Sequence, residues 1–246
     1  MSRHALILGA NSDIGRAIAH RYAKAGWDLY LAARNADRLD GDVSDLKLRY
    51  GIEARALEFD ATQFNQHITF ARMLDPRPEL VFCVFGYLGD QAKAQTDWQE
   101  SSQIIEVNYT GAVSILNAFA EEMQARQKGV IVGISSVAGD RGRASNYFYG
   151  SAKAGFTAYL SGLRNRLSAQ QTGVHVLTVK PGYVKTRMTE GMKLSPLLTA
   201  SPKQVANDIY RAVQNRKNTI YSLWMWRFIM LIIRLMPEGM FKKRDW

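Results

Sequence analysis

ALILGANSDIGRAIAHRYAK, residues 5–24, decides the fold. Ala5 to Leu8 is a short apolar run suited to a buried strand, and from Ile14 to about Lys24 apolar residues return with helical spacing. Between them, Gly9-Ala10-Asn11-Ser12-Asp13-Ile14-Gly15 forms a turn. Strand, glycine turn and helix in direct succession open a βαβ unit. At the start of such a helix, free backbone N–H groups and the helix dipole favour an anion such as a pyrophosphate. Gly9 permits the tight turn, and Gly15 lets helix and strand pack closely. Taken alone, the segment also reads as a turn without a ligand.

Further apolar runs repeat the pattern: DLYLAA (Asp28 to Ala33), EARALEF (Glu53 to Phe59), LVFCVF (Leu80 to Phe85), VIVGIS (Val130 to Ser135) and VHVLTV (Val174 to Val179). Their near-continuous apolar character suits parallel strands covered on both faces. Ser201-Pro202-Lys203-Gln204 is a helix start, with a capping Ser, a Pro in the first turn and a Gln able to complete a capping box, and the helix should reach about Asn215. The expected fold class is α/β, a Rossmann-type doubly wound parallel sheet in a single domain over residues 1–222, with a C-terminal apolar and basic helical extension over 223–246. Ligands of such sheets bind beyond the carboxyl ends of the strands.

Composition narrows the setting. The 246 residues suit one α/β domain, with no linker, repeat or low-complexity tract to suggest a second. Lys and Arg number 32 against 22 Asp and Glu, a net charge of +10 that suits an anionic lipid or a phosphorylated substrate as readily as a solvated surface. No nucleic-acid partner and no metal are expected. Cys83, the single cysteine, sits in an apolar run and reads as a buried, inert thiol. The apolar stretch of MSRHALILGANS is too short for a secretory leader, so a cytoplasmic location is expected.

Two positions speak to the nucleotide. Arg34 follows the second strand where an acidic residue would hold the ribose hydroxyls of NAD, and Ala33 precedes it. A guanidinium there, from Arg34 or from nearby Arg38, suits the 2′-phosphate of NADP(H), which is favoured over NAD(H). Asp60, ending the third strand in EFDAT, is either an adenine contact or a loop and helix cap.

Tyr149 and Lys153, in YGSAK, share one helical face at i,i+4 spacing. An ammonium beside a phenol favours the phenolate, so Tyr149 is expected to exchange a proton with a carbonyl or alcohol oxygen near neutral pH. Ser136, at the end of GVIVGISSVAG, lies thirteen residues earlier and reaches the same edge of the sheet. With Asn108 in IIEVNYTGA, these four residues identify the chain as resembling the short-chain dehydrogenase/reductase family, whose TGxxxGxG turn the 9–15 segment approaches with Leu8 for Thr and Asp13 for the middle Gly. The resemblance implies that Ser136 orients the substrate oxygen, Tyr149 transfers the proton, Lys153 also holds the nicotinamide ribose, and Asn108 supports a water relay. It assigns cofactor contacts to Gly9, Asn11, Ser12, Asp13, Ile14, Gly15, Arg34, Asp60, Ala61, Gly86, Tyr149, Lys153, Pro181, Gly182, Val184 and Thr186. It also implies a homodimer or homotetramer. The customary NNAG is replaced by Cys83-Val84-Phe85-Gly86, so the contacts bracing the central strand must come from elsewhere.

The tail YSLWMWRFIMLIIRLMPEGMFKKR is apolar from Leu223 to Met236 except for Arg227 and Arg234. It is short and charged for a membrane span. It suits a helix in the interface, with Trp224, Trp226 and Phe228 inserted and Lys242, Lys243 and Arg244 facing anionic lipid, or else a helix covering the substrate pocket or a subunit contact. FGYLGDQ, NYTGAVS, GDRGRASNYFYGSAKAGF, PGYVKTRM and the tail resemble one branch, the decaprenylphosphoryl-2-keto-erythropentose reductases, which also carry an acidic residue at the Asp13 position and lack NNAG. That resemblance implies NADPH-dependent reduction of a lipid-linked ketosugar at the inner face of the cytoplasmic membrane, a flavin-dependent oxidase as partner, and Arg141 and Arg143 as candidate phosphate ligands. Two other readings stand beside it: reduction of another membrane lipid such as a 3-ketoacyl or 3-ketosphingoid compound, or a non-catalytic NADP(H)-binding sensor or membrane-docking protein.

Overall fold

The computed structural model describes residues 3–243, so Arg244, one of the basic residues expected to face lipid, lies outside the described residues. The main sheet begins with β1 (Arg3–Leu8), β2 (Trp27–Ala33), β3 (Ala54–Glu58), β4 (Leu80–Cys83), β5 (Gly129–Ile134) and β6 (Val174–Pro181). A short parallel pair, β7 (Tyr183–Val184) and β8 (Thr199–Ala200), lies apart, and β9 (Thr219–Ser222) completes the main sheet. Among the described residues this is a 7-stranded parallel sheet in the order β3-β2-β1-β4-β5-β6-β9. The order reverses between β1 and β4, the switch point beside which doubly wound sheets bind ligands.

Alternation along β1 shows why both faces are covered. Ala5 and Ile7 enter one core with α1 (Asp13–Ala23), α2 (Asp40–Tyr50) and α8 (Pro202–Gln214). Leu6 and Leu8 enter the other with α3 (His67–Met73), α6 (Gly111–Ala125) and α7 (Tyr147–Ala169). Successive strand residues point to opposite faces, so the unbroken apolar run Ala5–Leu8 needs helices on both sides. Helices α4 (Gln91–Ala94) and α5 (Trp98–Ile105) follow β4.

The expected strands all form, with shorter ends in places. The 80–85 run leaves the ladder after Cys83, because the Val84 and Phe85 N–H groups both donate to Leu8 O, at 2.9 and 3.2 Å. Ser201 caps α8 by accepting from Gln204 N–H at 3.2 Å. Strand β9 was not foreseen: Thr-Ile-Tyr-Ser has neither an apolar run nor alternation, and it becomes a strand by pairing with β6, Thr178 opposite Thr219.

The tail packs on the body of the protein. In α9 (Met225–Leu235), Trp226, Met230 and Ile233 share a buried face and form a small core with Val137 and with Phe241 of α10 (Glu238–Phe241). Arg141 fastens this end: Nη1 donates to Ile233 O and Met236 O, both at 2.5 Å, Nη2 donates to Glu238 at 2.9 Å, and the guanidinium lies 3.9 Å from the Phe241 ring centroid. These bonds satisfy carbonyls that a helix end leaves without intrahelical partners. Arg141, considered above as a phosphate ligand, is therefore committed to the tail. The opposite face of α9 leaves Trp224, Phe228, Leu231, Ile232 and Leu235 exposed, with Arg227 and Arg234 beside them. Among the described residues, no helix is long and apolar enough to cross a membrane.

Candidate active site

The turn after β1 forms a cradle as the sequence requires. Gly9 has φ +91°, and a Cβ there would come within 2.5 Å of Phe85 N; a Cβ on Gly15 would meet Gly9 O at 2.6 Å. Ser12 caps α1, accepting from Gly15 N–H at 3.0 Å and donating to Gly9 O at 2.8 Å. Gly9, Asn11, Ser12, Arg34, Asp60, Ala61 and Gly86 line one cleft of about 560 Å³, with Arg38 at its edge. Arg34 and Arg38 are exposed and make no ion pair among the described residues. A glycine cradle, a helix N-terminus and two unpaired guanidinium groups beside the cleft fit the phosphates of a dinucleotide.

Other assigned contacts lie elsewhere. Ile14 packs against the core on the α1 side of the sheet. Asp13 accepts from Arg187 N–H at 2.8 Å, and its carboxylate is 3.5 Å from Arg187 Nε. Arg187 also donates to Asn11 O, so the residue standing for the middle glycine latches the loop after β7 to the turn. Thr186 begins that loop's 3-10 turn and, with Asp13, borders a separate hollow of about 780 Å³. Val184 is buried in β7, opposite Ala200. Pro181 ends β6, opposite Ser222. Asp60 Oδ1 accepts from both Thr62 N and Thr62 Oγ1, so this carboxylate holds a turn as well as facing the cleft.

The four residues expected to act together are brought to one place. Asn108 sits in a single π-turn, Glu106–Thr110, between α5 and α6. Its Nδ2 donates to Ile104 O at 2.8 Å and to Tyr87 O at 2.5 Å, while Oδ1 accepts from Tyr87 N at 3.2 Å. A side chain that takes a helix carbonyl in this way accompanies the widened turn. The same amide clasps the chain just beyond Gly86. Lys153 is buried, and its Nζ donates to Ile134 O at 3.1 Å. A residue that the sequence reading missed fixes this helix: Ser135 Oγ bonds to Lys153 O at 3.0 Å and to Thr157 Oγ1 at 2.7 Å. Its neighbour Ser136 accepts from Ala138 N–H at 3.1 Å and hydrogen-bonds the Tyr149 phenol.

The electrostatics differ from the expectation in one respect. Burial pushes the Tyr149 phenol up to about 12, and the Ser136 hydrogen bond pulls the other way. The Lys153 ammonium was expected to dominate, but Nζ lies 5.6 Å from the ring centroid and points its proton at a carbonyl. Desolvation therefore wins, and Tyr149 is a protonated acid throughout the neutral range. Burial also draws Lys153 down to about 8, against a smaller opposing influence from Cys83. The Cys83 thiol is itself pushed up to about 12 by burial, which makes it the inert thiol expected.

Ser136 and Tyr149 open into a second cavity of about 510 Å³. Tyr183, Met188, Met192 and Trp226 form an apolar wall, and Gln91, Arg143 and Asn146 a polar one. Trp226 donates from Nε1 to Leu198 O at 3.2 Å and lies so close over Gly182 that a Cβ there would come within 2.0 Å of the indole. Gly182, expected to border the nicotinamide, thus also makes room for the tail. Behind Ser136, Lys180 is paired with Asp140, and Tyr221 donates to the second Asp140 oxygen at 2.8 Å. Asp140 and Lys180 side chains are 3% and 9% exposed. Removing one partner of so buried a pair strands the other charge, so Asp140→Ala should lower stability by about 3–5 kcal/mol in urea denaturation. A loss below about 1 kcal/mol would show that water relieves the stranded lysine.

Comparison with known proteins agrees with this geometry. The short chain dehydrogenase family matches residues 3–195. An uncharacterised oxidoreductase of Mycobacterium tuberculosis is 38% identical over 241 residues, covering 97% of this chain and 95% of that protein. A short-chain dehydrogenase from Sphingobium yanoikuyae in complex with NADPH superposes with a TM-score of 0.81 at 23% identity, over 96% of this chain and 97% of that one. A 3-oxoacyl-[acyl-carrier protein] reductase from Brucella melitensis in complex with NAD gives 0.78 at 23% identity, over 90% and 96%. At such identities the two structures speak for the fold, whereas the family match spans most of the sequence. The chain belongs to the short-chain dehydrogenase family, NAD(P)-dependent oxidoreductases acting on CH–OH and C=O groups.

Proposed function

We propose that this enzyme is an NADPH-dependent ketoreductase acting on a lipid-linked, phosphorylated ketosugar of the polyprenyl-phosphate pentose class, at the anionic inner face of the cytoplasmic membrane. Trp226 carries this reading. Its ring roofs the cavity onto which Ser136 and Tyr149 open, and the helix it belongs to presents Phe228, Leu231, Ile232 and Leu235 to the outside. A cavity with a polar and an apolar wall beside an exposed apolar helix suits a substrate whose head group is reduced while its tail stays in lipid. Arg227, Arg234, Lys242 and Lys243 add attraction to anionic headgroups.

Bound NADPH supplies the hydride. The chain's own residues hold and protonate the substrate. The Ser136 hydroxyl donates to the carbonyl oxygen and fixes its position, and Tyr149 delivers the proton as negative charge builds on that oxygen. Its raised pKa keeps the phenol protonated until transfer. The Lys153 ammonium, below its pKa of about 8, stabilises the phenolate left behind.

NADPH oxidation followed with a panel of lipid-linked ketosugars and 3-ketoacyl compounds tests the reading. The ketosugars should be the better substrates, and Tyr149→Phe should lower turnover by roughly 10²–10⁴-fold, the usual weight of general acid catalysis, while NADPH still binds. Preference for the ketoacyl compounds would replace the substrate assignment, and persistent turnover in Tyr149→Phe would remove the acid.

Three further outcomes follow. The depressed Lys153 pKa means that its charge is present at low pH and lost on the alkaline side, so kcat/KM should fall as pH rises through about 8; a flat profile to pH 10 contradicts the role given to Lys153. Arg34→Ala should weaken NADPH binding about tenfold or more and leave NADH nearly unaffected, whereas equal losses would place the 2′-phosphate elsewhere. The full chain should co-sediment with vesicles containing phosphatidylglycerol, and Leu231→Asp with Leu235→Asp should abolish this; a shift in oligomeric state instead would assign the α9 face to a second copy.

A further inference from the structure

The loop after β2 holds an anion that belongs to the protein itself. Asn35 takes a left-handed conformation, φ 56°, and the right-handed 3-10 turn Ala36–Leu39 follows it. Successive N–H groups at such a junction converge and form a small seat for an anion. The Glu58 carboxylate, at the end of β3, fills this seat: Oε1 accepts from Asn35 N–H at 3.1 Å and Oε2 from Ala36 N–H at 2.9 Å. Glu58 is exposed and lines the same cleft as Gly9, Ser12, Arg34 and Arg38. Among the described residues it forms no ion pair with either arginine.

The cleft therefore sets charges of opposite sign against each other. Backbone N–H groups at a turn are good partners for a phosphate, and these two are already taken. A 2′-phosphate entering the cleft finds both donors occupied and meets a carboxylate of its own sign, which the two guanidinium groups must outweigh. A ribose with a free 2′-hydroxyl meets no such opposition. An ionised carboxylate has about four lone-pair sites, and Glu58 uses two on the loop, so two remain to accept from a hydroxyl. The other carboxylate of the cleft, Asp60, is engaged by Thr62 through Oδ1. We propose that Glu58 is a specificity-determining residue of the dinucleotide cleft: its carboxylate opposes a 2′-phosphate and accepts a 2′-hydroxyl, and so limits how strongly Arg34 and Arg38 favour the phosphorylated cofactor. The proposal rests on the NADPH reading and names what restrains that preference.

Adenosine 2′,5′-bisphosphate and AMP serve as probes, since they differ by the 2′-phosphate alone, and calorimetry reads their binding without turnover. Wild type should bind the bisphosphate more tightly. Glu58→Gln keeps the shape and removes the charge, so it should raise the ratio of the AMP to the bisphosphate dissociation constant about tenfold, through tighter binding of the bisphosphate. Glu58→Ala also frees the two N–H groups and should raise the ratio at least as far. The gain should largely vanish between about 0.01 M and about 1 M salt, as the screening length falls from roughly 30 to roughly 3 Å. Glu53→Gln, outside the cleft and paired with Lys47, controls for the loss of one surface charge and should leave the ratio unchanged. A ratio unchanged in both Glu58 variants overturns the proposal, and so does parallel weakening of both ligands, the mark of a carboxylate that only braces the loop. Equal binding of the two ligands by wild type, with the ratio still rising in Glu58→Gln, would sink the NADPH preference and keep the role of Glu58.

Discussion

A single buried ammonium organises the catalytic end of the molecule. Lys153 lies inside the protein with one proton on Ile134 O, at the last residue of β5. A cation there is tolerable only because the surroundings are polar where it points, and the chain builds those surroundings from three directions. Asn108 holds the backbone at Tyr87, leaving Gly86 beside the ammonium, where a Cβ would approach Nζ to 3.5 Å. Ser135 ties the lysine's own carbonyl to the sheet. The helix then places Tyr149 one turn earlier, against Ser136. Displacing any of these parts moves the phenol, the hydroxyl or the charge relative to the others.

The segment 136–146 links this centre to the rest of the cavity. Ser136 faces the phenol, Asp140 is buried with Lys180 and Tyr221, Arg141 clamps α9 and α10, and Arg143 and Asn146 stand on the cavity wall. One loop thus joins the reacting oxygen's holder to the helix that roofs the pocket. Because the Asp140 ion pair has little access to water, it fixes the loop more firmly than a surface pair would. The tail is in this sense part of the active site: Trp226 is held by Leu198 O and Gly182 on one side and by the Arg141 clamp through its helix on the other.

The sheet was legible because its central strands carry unbroken apolar runs such as Ala5–Leu8 and Leu80–Cys83, and the glycine turn because a cradle of that shape needs residues without side chains. The grouping of Asn108, Ser136, Tyr149 and Lys153 was legible from residue types and order, although the π-turn at Asn108 was not, since it depends on where one amide finds its acceptor. Strand β9 was hidden because pairing with β6, and not local pattern, makes it a strand. The tail carried two readings in one sequence; Trp226, Met230 and Ile233 pack inward, while Phe228, Leu231, Ile232 and Leu235 are exposed. The family resemblance implied ligand contacts for Asp13 and Arg141, and the structure also gives each a protein partner. Their partners, Arg187 and the end of α9, are distant in sequence and visible only after folding.

The burial of Lys153 is the physical claim beneath the acid–base assignment, and its titration measures it directly. In protein carrying ¹³C-labelled lysine, with Lys153→Gln used to assign the signal, the Cε resonance of Lys153 should titrate with a midpoint near 8. A midpoint near 10.4, the value of a solvated lysine, would mean that the ammonium stands in water and that the arrangement around it is not the one described.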